Sequence, residues 1–138
     1  MTSIQVDIVS AEGEIFSGEA EMVFAPGQLG EIGIAPRHAP LLTKLKPGEV
    51  RVHPLDGEEQ FFFVTGGILE VQPKQVTVLA DSALRAEDLD EDSAFAARER
   101  AREALEGSHA EIDIEQAQRD LVEAEARYRA AEKLKGRR

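Results

Sequence analysis

Residues 60–79 read QFFFVTGGILEVQPKQVTVL, and this segment decides the fold of the first part of the chain. Gln60–Val64 is apolar on both faces, which is typical of a central strand. The pair Gly66-Gly67 lets the backbone turn sharply or pack closely against a neighbour. Leu69–Val71 and Val76–Leu79 then flank a turn that contains a proline. The segment therefore predicts three short strands joined by turns.

The same kind of pattern extends towards the N-terminus. Ile4, Val6 and Ile8 alternate with polar residues, which predicts a strand with one buried face. Residues 26–40 are dense in glycine and proline and are predicted to be largely loop. Many short strands separated by turns favour a β-sandwich or a flattened barrel. Further strands are predicted at Glu14–Ser17, Glu21–Ala25 (separated from the first by Gly18) and Glu49–His53.

The composition of the chain changes near Ala86. All six prolines and nine of the eleven glycines lie before this point, and the rest is rich in the helix formers Ala, Glu, Arg and Leu. Asp88 with Glu91, and Asp113 with Gln116, have the spacing of helix-capping pairs. We therefore expect a first domain over residues 1–86 and two helices over residues 87–138.

The two predicted helices carry matching stripes of mostly small residues, which favours an antiparallel helical hairpin. Burying a methyl group contributes only about 0.8 kcal/mol, so an alanine seam predicts a marginally stable pair. Such an element suits a switch, although a loosely packed terminal hairpin without that role fits the pattern as well. The stripes are Ala94, Ala97, Ala101, Ala104 and Leu105 in the first helix, and Ile114, Ala117, Leu121, Ala124, Tyr128 and Ala131 in the second.

Composition excludes several classes of function. The net charge of −11 argues against nucleic-acid binding, because neutralising phosphates needs a basic surface. The absence of cysteine excludes thiolate zinc sites and cysteine nucleophiles, and no apolar run is long enough to span a bilayer. The N-terminus lacks the features of a signal peptide. We expect contact with a membrane only through a partner.

The residues that catalysis would need are not grouped along the chain. His38, His53 and His109 lie in three separate segments, and none has the spacing of a metal-binding pair. His38, in the loop rich in proline, is the strongest candidate of the three for a functional role. Residues 127–138 carry six basic side chains and one acid, Glu132. These bases either complement the helix dipole or form a tip that docks on an acidic partner.

Several segments together resemble the epsilon subunits of bacterial F-type ATP synthases. The resemblance covers the whole β-rich part and continues more loosely through the helical pair. It implies a sandwich of about ten strands, which binds the gamma subunit and rests on the ring of c subunits, followed by the helical hairpin. The segments that carry it are Val9–Glu12, Phe16–Gly18, Gly30–Thr43, Lys46–Gly48, Gly66–Pro73, Val76–Asp81 and Leu89-Asp90.

The resemblance also implies a role for particular residues. The chain is expected to be a non-catalytic rotor subunit that couples proton flow to ATP synthesis, located peripherally at the cytoplasmic face of the bacterial plasma (inner) membrane. Glu31 and His38 match positions that contact the c-ring or gamma. The extended hairpin is expected to inhibit ATP hydrolysis by directing basic side chains at acidic segments of the catalytic alpha and beta subunits. These bases are Arg98, Arg100, Arg102, Arg127, Arg129 and Lys133, within a basic end that runs to Arg138.

One segment departs from the family pattern. Leu89, Asp90 and Ala94, with Arg100 further along, match a site at which some members bind ATP, but Ser93 stands where that motif has arginine. Losing a guanidinium beside a polyanion removes a charge-assisted hydrogen bond worth about 1.5–3 kcal/mol. We therefore expect weak ATP binding or none, and no cofactor. The alternative interpretation of the whole chain is a stand-alone β-sandwich that binds a protein or small ligand, with the helices as a dimerisation arm.

Overall fold

The computed structural model describes residues 2–107 and 111–137, with the side chains of 111–113 and 135–137 left aside. The chain divides into two compact units, Met1–Ala86 and Glu87–Arg138. The first unit contains nine strands in its described residues. They are β1 Ile4–Ser10, β2 Gly13–Gly27, β3 Gly30–Ile34, β4 Leu41–Leu45, β5 Gly48–Pro54, β6 Gln60–Val64, β7 Gly67–Val71, β8 Gln75–Ala80 and β9 Ala83–Arg85.

The strands form one continuous network in the order β1-β8-β7-β4-β2-β5-β6-β9, with β3 paired to β2. Strand β2 is 15 residues long and pairs with β1 through its first half and with β3 and β5 through its second. Because β1 also pairs in parallel with β8, the network folds back on itself. The predicted β-sandwich is confirmed.

Three details differ from the strands predicted from the sequence. Gly18 does not separate two strands, because β2 continues through it while paired with β1. Residues 26–40 are not one continuous loop, because Gly30–Ile34 forms β3 against β2 and divides the segment into a turn at 28–29 and a connection at 35–40. Strands β4 and β9 add further pairings that the sequence pattern did not indicate.

The core of the sandwich is aliphatic, as the scarcity of aromatic residues suggests. Ile4, Val6 and Ile8 are all fully buried, which confirms the alternating strand. Gly67 is required where β7 meets β8, since its φ is +140° and an added Cβ would collide with the carbonyl oxygen of Leu79. The clustered core side chains are Ile4, Val6, Ile8, Ala20, Val23, Ala25, Ile34, Leu45, Val50, Val52, Phe62, Val64, Leu69, Val71, Val76, Val78 and Ala80.

The second unit is the predicted antiparallel helical hairpin, formed by α1 Glu91–Glu106 and α2 Glu111–Arg137. Asp90 caps α1, because its Oδ2 accepts a hydrogen bond from the Ser93 backbone N–H at 3.1 Å. The predicted cap Asp88 instead ends a short 3₁₀ turn, Ala86–Asp88. Helix α2 begins two residues before the predicted cap Asp113, whose side chain lies outside the described residues, as does His109.

The described helices bury only alanines. The predicted seam is confirmed at Ala94 and Ala101 in α1 and at Ala117, Ala124 and Ala131 in α2. Ala104, by contrast, is exposed in the last turn of α1. The second unit therefore has a thin apolar interior compared with the first.

Candidate binding surfaces

Glu31 is held in a strip of side chains that crosses three strands. The register places Glu31 beside Pro26 of β2, and places Arg51 of β5 beside Phe24 on the other side of β2. Arg51 lies over the Phe24 ring, 4.4 Å from its centroid, and its Nη2 donates to Glu31 Oε1 at 2.8 Å. Gly33 opposite Phe24 adds no side chain here. The carboxylate of Glu31 is thereby fixed while remaining 52% exposed.

The strip continues through a histidine. His53 of β5 makes an edge contact with the Phe24 ring, with the ring centroids 5.6 Å apart. Its Nε2 lies 2.6 Å from Glu59 Oε2. His53 therefore has a structural role in this strip, which its position at a strand end did not reveal.

His38 lies in the connection from β3 to β4. Its Nδ1 lies 2.7 Å from the carbonyl oxygen of Ala39. Because a carbonyl oxygen only accepts, Nδ1 donates the proton and Nε2 is the available acceptor of the neutral ring. Glu31 lies in β3 next to its first residue, whereas His38 lies four residues beyond the last residue of β3. The two predicted contact residues therefore belong to different elements, a strand and the connection that follows it.

An apolar row lies on the outward face of the sandwich. Ile68 of β7 pairs with Leu79 of β8, and these side chains are 43% and 45% exposed. Leu42 of β4, two residues from the partner of Ile68, is 71% exposed. We call Leu42, Ile68 and Leu79 the outer apolar row. Clustered exposed apolar side chains of this kind mark interaction surfaces.

The six predicted regulatory bases fall into two groups in the hairpin. Arg98, Arg102 and Arg127 are engaged within it. Arg102 lies 3.4 Å from Glu99 and 3.7 Å from Glu125, while Arg127 Nη2 donates to Ser93 Oγ at 3.4 Å. The other three, Arg100, Arg129 and Lys133, are exposed, as is Arg102. The side chains of Lys135 and Arg137, and all of Arg138, lie outside the described residues.

Arg98 joins the two helices through aromatic contacts. Its guanidinium carbon lies 5.0 Å from the Phe95 ring centroid and 4.3 Å from that of Tyr128. The two rings meet edge to face at 5.7 Å. The hydrogen bond to the Glu132 carboxylate raises the pKa of Tyr128, so the phenol stays neutral. We call Phe95, Arg98 and Tyr128 the aromatic clasp.

Several residues of the candidate ATP segment have structural roles in the hairpin. Asp90 is the cap of α1, while Leu89 and Ala94 are buried. The Ser93 position does have a guanidinium beside it, supplied by Arg127 of α2. A groove of about 330 Å³ lies along the hairpin, and its lining balances cations with carboxylates. That lining is Ala97, Arg100, Ala101, Ala104, Asp120, Glu123, Ala124 and Arg127.

Two further features bear on function. Among the side chains that the structure describes, those of residues 2–107 and 114–134, no three His, Asp or Glu are grouped so that they could hold a metal ion. None of the described helices combines the length and apolarity needed to cross a membrane.

Comparison with known proteins matches both units to one family. Residues 3–86 match the beta-sandwich domain of the ATP synthase delta/epsilon chain, and residues 87–132 match its long alpha-helix domain. The ATP synthase epsilon chain of Nitrosococcus oceani is 55% identical over 133 residues, which is 96% of this chain and 95% of the relative. That of Alkalilimnicola ehrlichii is 58% identical over 137 residues, or 99% and 98% of the two chains.

A solved structure shares the fold. A chain of the Euglena gracilis mitochondrial ATP synthase, from a structure of OSCP, F1 and the c-ring, aligns with a TM-score of 0.80 at 21% identity. The alignment covers 91% of this chain and 79% of that one. From both domain matches and the near full-length relatives, the chain belongs to the ATP synthase delta/epsilon family, among the epsilon chains of bacteria.

Proposed function

We propose that this chain is a non-catalytic subunit of the central stalk of a bacterial F-type ATP synthase, where it couples proton flow to ATP synthesis. The observation that carries the proposal is the presence of both family domains, in order, over residues 3–132. The reaction then belongs to the whole complex. This chain contributes binding surfaces: the sandwich for the stalk and ring, and the hairpin for regulation.

The sandwich is proposed to bind gamma through the outer apolar row. Leu42, Ile68 and Leu79 are too exposed to contribute fully to the core, so they retain apolar surface that a partner can cover. Burying such surface contributes about 25 cal/mol per Å². Their strands are fixed by the core behind them, so the row is presented as a preformed surface.

Co-purification with gamma tests this surface. We expect the chain to co-purify with gamma in equal amounts, and the double variant Ile68→Ser with Leu79→Ser to lose that association. The matched control is Ile68→Val with Leu79→Val, which keeps both positions apolar and should bind normally. A pure chain that forms stable homodimers and ignores gamma would contradict the stalk assignment and favour the stand-alone module.

Glu31 and His38 are proposed to contact different parts of the stalk and ring, because Glu31 lies near the start of β3 and His38 lies in the connection after it. Glu31 is supported by the fixed, half-exposed carboxylate beside Arg51. His38 is supported by its available Nε2 on a short, anchored connection. We expect Glu31→Gln to weaken attachment to the c-ring and His38→Ala to weaken binding to gamma. Equal effects of both variants on a single partner would contradict this division.

The hairpin is proposed to inhibit ATP hydrolysis when its exposed bases reach acidic segments of the alpha and beta subunits. Arg129 and Lys133 lie one turn apart on α2 and are exposed. In the assembled complex, Arg129→Gln with Lys133→Gln should raise ATP hydrolysis without altering the stability of the hairpin. Glu115→Gln, which also replaces an exposed charge on α2 by an amide, is the matched control, and it should not relieve inhibition. Hydrolysis unchanged by the double variant would contradict the role of these two bases.

ATP binding by the hairpin is proposed to be weak. A triphosphate entering the groove would meet Asp120 and Glu123 as well as Arg100 and Arg127, so attraction and repulsion oppose each other. Calorimetry should therefore detect no binding tighter than millimolar, and tighter binding would contradict the proposal.

The chain is proposed to lie at the cytoplasmic face of the plasma (inner) membrane, attached only through the Fo part of the complex. The described helices supply no membrane-crossing segment of their own. We expect the chain to sediment with membranes and to be released together with the other F1 subunits at low ionic strength. Retention on the membrane after F1 has been stripped would contradict this attachment.

A further inference from the structure

The connection between β3 and β4 contains a strained residue. Pro36 and Arg37 are the central residues of a turn closed by the His38 N–H, which donates to the Ala35 carbonyl oxygen at 3.2 Å. Arg37 has a φ of +69°, and it is the one non-glycine with positive φ in the described part of the chain. Proline followed by positive φ is the pattern of a type II turn, in which the second central position favours glycine.

The surrounding structure holds this strain in place. The Arg37 N–H donates to the carbonyl oxygen of Pro73, at 2.8 Å, in the connection between β7 and β8. The turn is therefore fastened to the body of the sandwich and does not relax into an ordinary conformation. Strained backbone conformations that are held in place by surrounding contacts are concentrated at functional sites.

The side chain of Arg37 makes no polar contact with the described part of the sandwich that would offset this strain. It is exposed, and no described residue forms a hydrogen bond or ion pair with its guanidinium. By contrast, Arg51 and Arg85 of the same unit both have partners, Glu31 and the Ile15 carbonyl oxygen. A glycine would suit the backbone better, so the benefit of arginine here lies outside the unit.

We propose that Arg37 is a binding residue whose guanidinium pairs with a carboxylate on the subunit of the stalk or ring, gamma or c, that contacts this turn. The inference rests on the proposed stalk function and adds to it a residue and the partner chemistry. A guanidinium matches a carboxylate through two parallel hydrogen bonds, which lysine does not reproduce. The rigid turn presents the group in a fixed direction, so little order is lost on binding.

Three variants of the full chain separate the contact from the strain. Arg37→Gly removes the guanidinium and relieves the strain. Arg37→Ala removes the guanidinium and keeps the strain, since alanine avoids positive φ as arginine does. Arg37→Lys keeps the charge without the paired geometry. Each is titrated against purified gamma and against gamma attached to the c-ring, at low and at high salt, and its thermal unfolding is recorded.

We expect binding and stability to change in opposite directions. Arg37→Gly and Arg37→Ala should each weaken association by about 10- to 100-fold, and Arg37→Lys by less. Thermal unfolding should shift upwards by about 4 °C in Arg37→Gly and stay unchanged in Arg37→Ala. A loss seen with gamma alone places the carboxylate on gamma, and a loss seen only when the ring is present places it on a c subunit.

Wild-type affinity of Arg37→Ala for both preparations would overturn the inference while leaving the proposed stalk function intact. Failure of the wild-type chain to bind either preparation would instead overturn the stalk function, and this inference with it. A drop in thermal stability of Arg37→Gly would show that the arginine stabilises the turn, which also contradicts the proposal.

Discussion

The sandwich and the hairpin solve the same packing problem with different side chains. The core of the sandwich is built mainly from Val, Ile and Leu, with Phe62 and three alanines, and many of these side chains are fully buried. The described helices of the hairpin bury only alanines. Because stabilisation scales with the apolar area removed from water, equal depth of burial contributes far less in the hairpin.

The comparison suggests that the two regions hold their geometry by different means. In the sandwich, strand register and core packing fix where Glu31, Arg37 and the outer apolar row are presented. In the hairpin, the aromatic clasp and a few polar contacts add to the thin alanine seam. We interpret the sandwich as a fixed adaptor. We interpret the hairpin as a pair of helices whose packing against each other is disrupted at a modest cost in free energy.

The largest expected effect tests the rigidity of the sandwich. Gly67→Ala would place a methyl group against the Leu79 carbonyl oxygen at a φ of +140°. Backbone strain and overpacking together predict a loss of about 2–6 kcal/mol in the free energy of unfolding. Denaturant unfolding followed by circular dichroism measures this loss.

Gly13→Ala is the matched control for that change. Gly13 has a similar φ of +130°, but no atom lies near its added Cβ. It should therefore lose only the strain contribution of about 1–3 kcal/mol. Equal losses in the two variants would show that β7 and β8 do not pack as tightly as described.

There is a physical reason why the sequence predicts some elements of this structure and not others. Alternation identified β1, and composition located the helices, because these signals act within a single segment. Strand β3 was missed since glycine hides its alternation, and it forms because β2 supplies its hydrogen-bond partners. The pairing of Glu31 with Arg51 depends on the register of both β3 and β5 with β2, which no local spacing encodes. The strained Arg37 likewise requires the backbone angles.

A smaller effect is expected in the hairpin. Arg98→Ala removes both cation–π contacts of the aromatic clasp, each worth about 0.5–1 kcal/mol. Hydrogen exchange should accelerate in α1 and α2 while the sandwich strands keep their protection. Arg129→Ala, an exposed position on α2, is the control and should leave exchange unchanged. Slower exchange throughout the chain, or an equal change in the helices and in the sandwich strands, would contradict the role of the clasp.

The smallest effect concerns one carboxylate on the sandwich surface. The Ser17 hydroxyl donates to Asp7 at 2.6 Å and, with Gln5 and Gln75, lowers the pKa of Asp7 below 3.8 despite partial desolvation. Its contribution to stability is therefore present above pH 3.8 and is lost as the pH falls through the lowered pKa. Asp7→Asn should flatten the stability profile in this acidic range. A profile identical to that of the wild type would contradict the network.

The comparison between the two regions is tested most directly by ending the chain after Ala86 and measuring ATP hydrolysis by the assembled complex. The sandwich should still assemble with gamma, because its core and its proposed binding surfaces lie within residues 2–86. Hydrolysis should rise, because the hairpin that is proposed to inhibit it is absent. Assembly with unchanged hydrolysis would contradict the regulatory role of the hairpin, and failure to assemble would contradict the independence of the sandwich.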